Sequence, residues 1–241
     1  MIVIPARWAS TRFPGKPLAV IAGVSLIQRV YERAARSVGA AAVYVATDDD
    51  RIFDHVLAFG GKVVRPEGDF QSGTDRIAAA LDLIETIERR AFTRVVNVQG
   101  DEPLIDVRSI DAILDVLAGN GIDMATLACP IESEEEYNSH DVVKVVTDSH
   151  DDALYFSRAP IPYGGHRAAR RHVGLYGYQS AVLRAFAAMA TSPLERAESL
   201  EQLRALQNGF KIRVLLTTKP HLGVDRPEDV LRVESELAKH A

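Results

Sequence analysis

One cysteine, one tryptophan and an aromatic content of 7% are what this 241-residue sequence is poorest in. A single Cys129 excludes an internal disulfide and a zinc site built on a cysteine cluster. Flanked by Ala128 and Pro130, it reads as an inert small apolar residue. No apolar run approaches the roughly 20 residues of a membrane span. The opening Met1-Ile2-Val3-Ile4-Pro5-Ala6-Arg7 is too short for a signal peptide, so a cytoplasmic location without a membrane partner is expected. Excess positive charge is missing too. With 28 Lys and Arg against 33 Asp and Glu, the net charge is -5 and the pI near 5.8. That is not the basic footprint of a nucleic-acid-binding protein, and any anionic ligand needs a local basic site. Neither a Walker A loop nor a Gly-x-Gly-x-x-Gly turn occurs, which disfavours P-loop ATPase and dinucleotide readings.

What is present is a core-forming chain, 47% hydrophobic and 25% charged, without repeats, linkers or low-complexity tracts. Short β-branched runs alternate with longer amphipathic stretches, the pattern of βαβ units around a largely parallel sheet, and thus of an α/β fold. Strands are expected at Ile2 to Pro5, Val43 to Thr47, Lys62 to Val64, Arg94 to Gln99 and Met124 to Cys129. Leu26, Ile27, Val30, Tyr31, Ala34 and Val38 fall on one helical face, with Ser25 and Gln28 as a capping box and Gly39 as the stop. After about residue 130 the rhythm changes. Further strands are expected at 142–147, 153–156, 172–178 and 213–217, a helix from Ser192 to Asn208, and a closing helix from Pro227 to Lys239. The organisation expected is one domain over 1–241: a first half over 1–130, an inserted half over 131–220 shaped for a second substrate, and a closing segment over 221–241.

The first strand runs into Pro5-Ala6-Arg7-Trp8-Ala9-Ser10-Thr11-Arg12-Phe13-Pro14-Gly15-Lys16-Pro17. Loops at the carboxyl ends of parallel strands are where α/β folds bind ligands. Arg7, Arg12, Lys16 and Gly15 offer cations and close backbone approach to a polyphosphate; a solvated basic loop is the plain alternative. Asp101 closes the strand at Arg94 to Gln99, either as a Mg²⁺ ligand facing that loop or as part of a turn with Gly100 and Pro103. Asp225-Arg226-Pro227-Glu228 has the form of a helix start with Asp225 as its cap. Gln71-Ser72-Gly73-Thr74-Asp75-Arg76 is a polar turn before a helix, and Asp48 to Asp50 read as a loop and a helix cap. His172 and Tyr176, four apart, point to one face of a strand.

The N-terminal loop resembles the signature of nucleotidyltransferases with the glycosyltransferase-A-like fold, in the form Pro-Ala-Arg-x-x-Ser-Thr-Arg-x-Pro-Gly-Lys-Pro of the 3-deoxy-manno-octulosonate (Kdo) cytidylyltransferases. Further blocks match that family in order: Ala46-Thr47-Asp48-Asp49, Gln71 to Arg76, Asn97-Val98-Gln99-Gly100-Asp101-Glu102-Pro103, Ala153 to Arg158, Arg171 to Tyr178, Leu200 to Arg204 and Val224 to Asp229. The resemblance covers the whole chain. It implies a three-layer α/β fold with a mostly parallel central sheet and an inserted sugar-binding and dimerisation half. It also implies transfer of CMP from CTP to Kdo, giving CMP-Kdo and pyrophosphate for lipopolysaccharide synthesis.

By the same resemblance the catalytic set is Arg7, Arg12, Lys16, Asp101 and Asp225, with Mg²⁺ on Asp101 and Asp225. The nucleotide falls to Pro5, Ala6, Arg7, Lys16, Gln71, Ser72, Thr74, Arg76 and Gln99, and the sugar to Arg158, His172, Tyr176, Glu201 and Gln202. A homodimer is implied as well. The 164–171 stretch departs from members with a longer insertion and reads as a mobile lid or a plain exposed loop. Other readings of the chain are the same chemistry on 8-amino-Kdo or a sialic acid, a nucleotide-sugar glycosyltransferase using Asp48 to Asp50 as its metal motif, or a nucleotide-binding regulator.

Overall fold

A computed structural model describes residues 1–9, 12–68, 70, 72–218 and 222–239. In chain order the elements are β1 (Ile2–Pro5), β2 (Val20–Ile21), β3 (Val24–Ser25), α1 (Leu26–Ala34), β4 (Val43–Ala46), α2 (Asp50–Ala58), β5 (Val63–Val64), α3 (Gly73–Glu88), β6 (Arg94–Asn97), α4 (Val107–Val116), β7 (Met124–Pro130), α5 (Glu134–Asn138), β8 (Lys144–Thr147), β9 (Ala153–Ser157), β10 (Arg170–Gln179), α6 (Ser180–Ala187), α7 (Pro193–Glu198), α8 (Gln202–Gln207), β11 (Ile212–Leu216) and α9 (Asp229–Ala238). The chain divides into two units, Met1–Asp111 with His221–Ala241, and Ala112–Pro220.

In the first unit β6, β1, β4 and β5 form a wholly parallel sheet, with Ile2 opposite both Val43 and Val96. Ile2, Val3 and Ile4 are fully buried, as a strand covered on both faces requires. α1 lies on the sheet with Leu26, Ile27, Val30 and Ala34 inward, as expected. It stops at Ala34, however, short of the expected Gly39, and Val38 is 92% exposed rather than on the apolar face. The cause is Asp111, whose carboxylate accepts from Ser37 Oγ and Gly39 N and pulls the chain off the helical path. Ser25 caps α1 through the Gln28 N–H, but Gln28 sends its own side chain forward to Glu32, so the box is half closed.

In the second unit β7 pairs with β11 in parallel and with β10 antiparallel; β8 bridges β10 and β9. β10 carries two extra residues, because its register moves from Val173 opposite Leu127 to Tyr176 opposite Thr126. An even insertion preserves the pleat, so His172 and Tyr176 share a face as their spacing predicts, with ring centroids 5.2 Å apart. The expected single helix from Ser192 to Asn208 is two helices. The break is at Ser199 (φ 54), where Glu198 turns away to accept from Ser157 Oγ, Arg158 N and Arg158 Nε. Glu201 therefore stands at the start of α8 and Gln202 within it, rather than on a helix begun at Ser192.

Candidate active site

Pro5, Ala6, Arg7, Arg12, Lys16, Ser72, Arg76, Gln99, Asp101 and Asp225 line one cavity of about 240 Å³ in the first unit. Ten residues from five stretches of sequence are gathered there by the carboxyl ends of β1 and β6 and the amino end of α3. The backbone packs closely: a Cβ at Gly100 would lie 2.8 Å from Pro5 O, so only glycine lets the β6 loop pass the β1 loop. Ser72 and Asp75 close a complete capping box on α3. Thr74 is buried and does not line the cavity, and Gln71 lies outside the described residues. Arg76 is 94% buried by its 6% exposure, with one guanidinium nitrogen on Asp48 at 3.0 Å and Nη1 buried without a protein partner.

Lys16 Nζ lies 2.7 Å from Asp101 Oδ2 and 3.5 Å from Asp225 Oδ1, and Arg12 reaches the same Asp225 oxygen at 3.1 Å. Two carboxylates from distant sequence thus converge on one cationic position. A Val224 N–H bond to Asp101 O at 2.8 Å ties the two segments together. Asp225 is not the cap of the closing helix. That helix begins at Asp229, whose carboxylate takes the N–H groups of Asp225 and Arg226 and leaves the Asp225 side chain turned to the cavity. Two convergent carboxylates beside cationic groups suit Mg²⁺, which takes few protein oxygens and fills its shell with phosphate and water. Among the described residues no group of three or more His, Cys, Asp or Glu forms a self-sufficient cage.

In the second unit His172 and Tyr176 lie edge to face and side by side with Phe156 and Tyr178. Thr126 Oγ1 is 2.9 Å from Leu175 O, 3.2 Å from Val173 O and 2.9 Å from His172 Nε2. Its single proton goes to a carbonyl, so the hydroxyl accepts from Nε2–H and His172 Nδ1 keeps its lone pair. Burial pulls the His172 pKa from 6.5 down to about 3 and pushes the Tyr176 phenol well up, so both rings are neutral near neutral pH. Gln202 Nε2 is buried without a protein partner. Arg158 spends Nε and Nη1 on the carbonyls of Glu198 and His140, and Glu201 lies 3.3 Å from Arg204.

A testable consequence concerns acid. The unfolded chain protonates His172 near 6.5 while the fold resists until about 3. This contribution to stability is therefore whole above the higher value and lost as pH falls between them. His172→Gln, which keeps a donor for Thr126 but cannot titrate, is expected to flatten the acid limb of stability against pH. Chemical denaturation from pH 7 to 4 checks it; an unchanged limb refutes the neutral, buried ring.

The cytidylyltransferase family model matches residues 1–212. A 3-deoxy-manno-octulosonate cytidylyltransferase of Syntrophotalea carbinolica is 50% identical, over 98% of this chain and 97% of its own length. One from Anaeromyxobacter sp. (strain Fw109-5) is 50% identical over 98% and 96%. The solved structure of CMP:2-keto-3-deoxy-manno-octonic acid synthetase complexed with CTP aligns with a TM-score of 0.91 at 41% identity, over 100% of this chain and 98% of that one. The chain belongs to the Kdo cytidylyltransferase family. The expected α/β nucleotidyltransferase fold with a mostly parallel central sheet stands with it.

For a Kdo cytidylyltransferase, the triple aspartate is not a metal motif of the glycosyltransferase kind. Asp48 pairs with Arg76, Asp49 caps α2 and pairs with Arg51, and Asp50 pairs with Arg65. Within 164–171, His166 meets Glu134, while Arg170 and Arg171 already belong to β10 and meet Asp151 and Glu136. Sequence reasoning missed Phe70, which also lines the cavity and lies under the Arg76 guanidinium. It missed the support of the basic loop as well. The Arg51 guanidinium covers the Trp8 ring at 3.3 Å, and Gly15 N–H donates to Trp8 O.

That support gives a second prediction. At Gly15, φ is 71 and an added Cβ would fall 2.8 Å from Trp8 Cη2. Gly15→Ala is expected to cost about 1–3 kcal/mol and to raise the KM for CTP as Lys16 moves with the loop. Thermal unfolding and initial rates check both, and an unchanged KM refutes the coupling of Gly15 to Lys16.

Proposed function

We propose that this chain transfers CMP from CTP to Kdo, releasing pyrophosphate, and that the cavity around Lys16, Asp101 and Asp225 is where the phosphates are held. The observation that carries this reading is the convergence of Arg7, Arg12 and Lys16 with two carboxylates, Asp101 and Asp225, in one cavity. The relatives' activity and the CTP complex of the aligned structure support it. In the reaction the C2 hydroxyl of Kdo attacks the α-phosphorus and gives up its proton to solvent, as the new O–P bond forms and the bond to pyrophosphate breaks. Charge builds on the leaving oxygens, and the cations of the N-terminal loop are placed to balance it without reorganising. Ser72, Arg76 and Gln99 take the base and ribose, with Arg76 Nη1 as the donor lacking a partner. Asp101 and Asp225 would hold Mg²⁺, which when bound would supply charge neutralisation at phosphate.

On the sugar side, His172 Nδ1 offers an acceptor and Gln202 a donor to sugar hydroxyls. Arg158 keeps Nη2 for the sugar carboxylate. A homodimer, a cytoplasmic location and a role in lipopolysaccharide synthesis belong to the same reading. The test is pyrophosphate release with Mg²⁺ from each nucleoside triphosphate against Kdo, 8-amino-Kdo and N-acetylneuraminate. Release with CTP and Kdo alone supports the proposal. Release with another acid sugar keeps the chemistry and moves the substrate, and none with any of them overturns it.

A further inference from the structure

A second cavity, of about 500 Å³, lies in the first unit and is lined by Arg29, Arg33 and Arg36 together with Pro103, Leu237, Glu32 and Glu234. Arg29 and Arg33 are one turn apart on α1 and Arg36 follows its end. Among the described residues, none of the three meets a carboxylate within ion-pair distance, although acidic residues outnumber basic ones 33 to 28. Arg29 and Arg33 bond to backbone instead: Arg29 to Ile21 O and Ala22 O, Arg33 to Ile105 O. Glu32 and Glu234 each have an oxygen engaged, by Gln28 Nε2 and Ala22 N. A helix C-terminus attracts cations by its dipole. It does not account for Arg33 being held partly buried, its pKa lowered by that burial and then by Arg36, with Asp106 acting in the opposite direction. An anion in the cavity would relieve that repulsion.

The chemistry narrows the ligand. Guanidinium forks match phosphate oxygens, and three of them exceed what one carboxylate can satisfy. The two glutamates leave the lining with only a small positive excess, which matches one phosphate group better than a polyphosphate. Pro103 and Leu237 offer apolar surface for the rest of the molecule. The walls also lead to the active site. Lys16 begins the 3₁₀ turn that runs into β2, Asp101 is two residues before Pro103, and Asp225 precedes α9, which carries Glu234 and Leu237.

We infer that this cavity is an accessory site for a phosphate monoester with an apolar body, and that its occupant tunes the Lys16–Asp101–Asp225 cluster. The probe is phenyl phosphate, titrated calorimetrically into the full chain with CTP and Mg²⁺ bound and Kdo absent, so that the nucleotide site is filled. One equivalent is expected to bind, with about tenfold weaker affinity in Arg36→Gln and a larger loss in Arg33→Gln/Arg36→Gln. The KM for CTP is expected to shift severalfold with phenyl phosphate in the native chain and not in the double variant. Arg36→Gln removes no hydrogen bond, so its unfolding midpoint shows whether a loss of binding is local. No binding at millimolar probe, binding indifferent to both substitutions, or binding without a change in KM would each overturn the inference.

Discussion

Asp101→Ala is expected to lower pyrophosphate release by about a thousandfold, the scale on which a preorganised charge at a reacting phosphate acts. The same change is expected to leave the unfolding midpoint almost unmoved. What the side chain contributes to the fold is a contact with Lys16 at 2.7 Å on a partly exposed surface, and such pairs are worth about 0–1 kcal/mol. The backbone of Asp101 does the structural work by accepting the Val224 N–H, and alanine keeps that bond. Activity and stability should therefore separate cleanly. Asp101→Asn keeps the oxygen but not the charge and should fall nearly as far. The KM for CTP should change far less than kcat, because the cations Arg7 and Arg12 remain in the cavity. If either variant keeps more than a tenth of native turnover, Asp101 is only the turn residue that Gly100 and Pro103 also permit.

Why was so much of this cavity legible in sequence? Its parts are local signals at strand ends: an apolar β1 followed by Arg7, Arg12 and Lys16, and an apolar β6 followed by Asp101. Parallel-strand topology gathers such ends by itself. The case of Asp225 differs, since Asp225-Arg226-Pro227-Glu228 obeys the rules of a helix start and the decisive contact is from Asp229 back onto it. The sequence could not separate those two aspartates by propensity, and only the resemblance to a family picked the right one for the cavity.

Contacts at long range left no mark in any local window. Trp8 under Arg51, Arg76 between Asp48 and Phe70, and Asp111 ending α1 early each join residues dozens of positions apart or across a loop. The break at Ser199 is of the same kind. Ser192 to Glu195 and Asn208-Gly209 are sound start and stop signals, so one helix between them is the natural expectation. Glu198 breaks it because its carboxylate and carbonyl are worth more to Ser157 and Arg158 than to a continued ladder. β10, in contrast, kept its expected facing despite a bulge, since two added residues leave the alternation intact.

The largest loss of stability is expected from Arg204→Met. The Arg204 side chain is 8% exposed, bonds Glu195 twice at 2.9 Å, and donates to Met189 O and Phe186 O from beside the Phe186 ring. Methionine fills much of the space but leaves the buried Glu195 without its countercharge. Breaking one side of such a pair costs about 3–5 kcal/mol. At about 2–4 °C per kcal/mol for a chain of this size, the midpoint should fall by roughly 10 °C. Glu195 also holds the Ser192 N–H, so the start of α7 should loosen with it. Adding Glu195→Gln tests the cause: if the orphaned charge carries the cost, the double variant should recover more than half of the loss, and if packing carries it, the two substitutions should be no better than one. Because α8 bears both Arg204 and Gln202 and starts at Glu201, the single variant should also raise the KM for Kdo more than that for CTP. Equal effects on both substrates would place the damage in the fold at large rather than in the half of the chain assigned to the sugar.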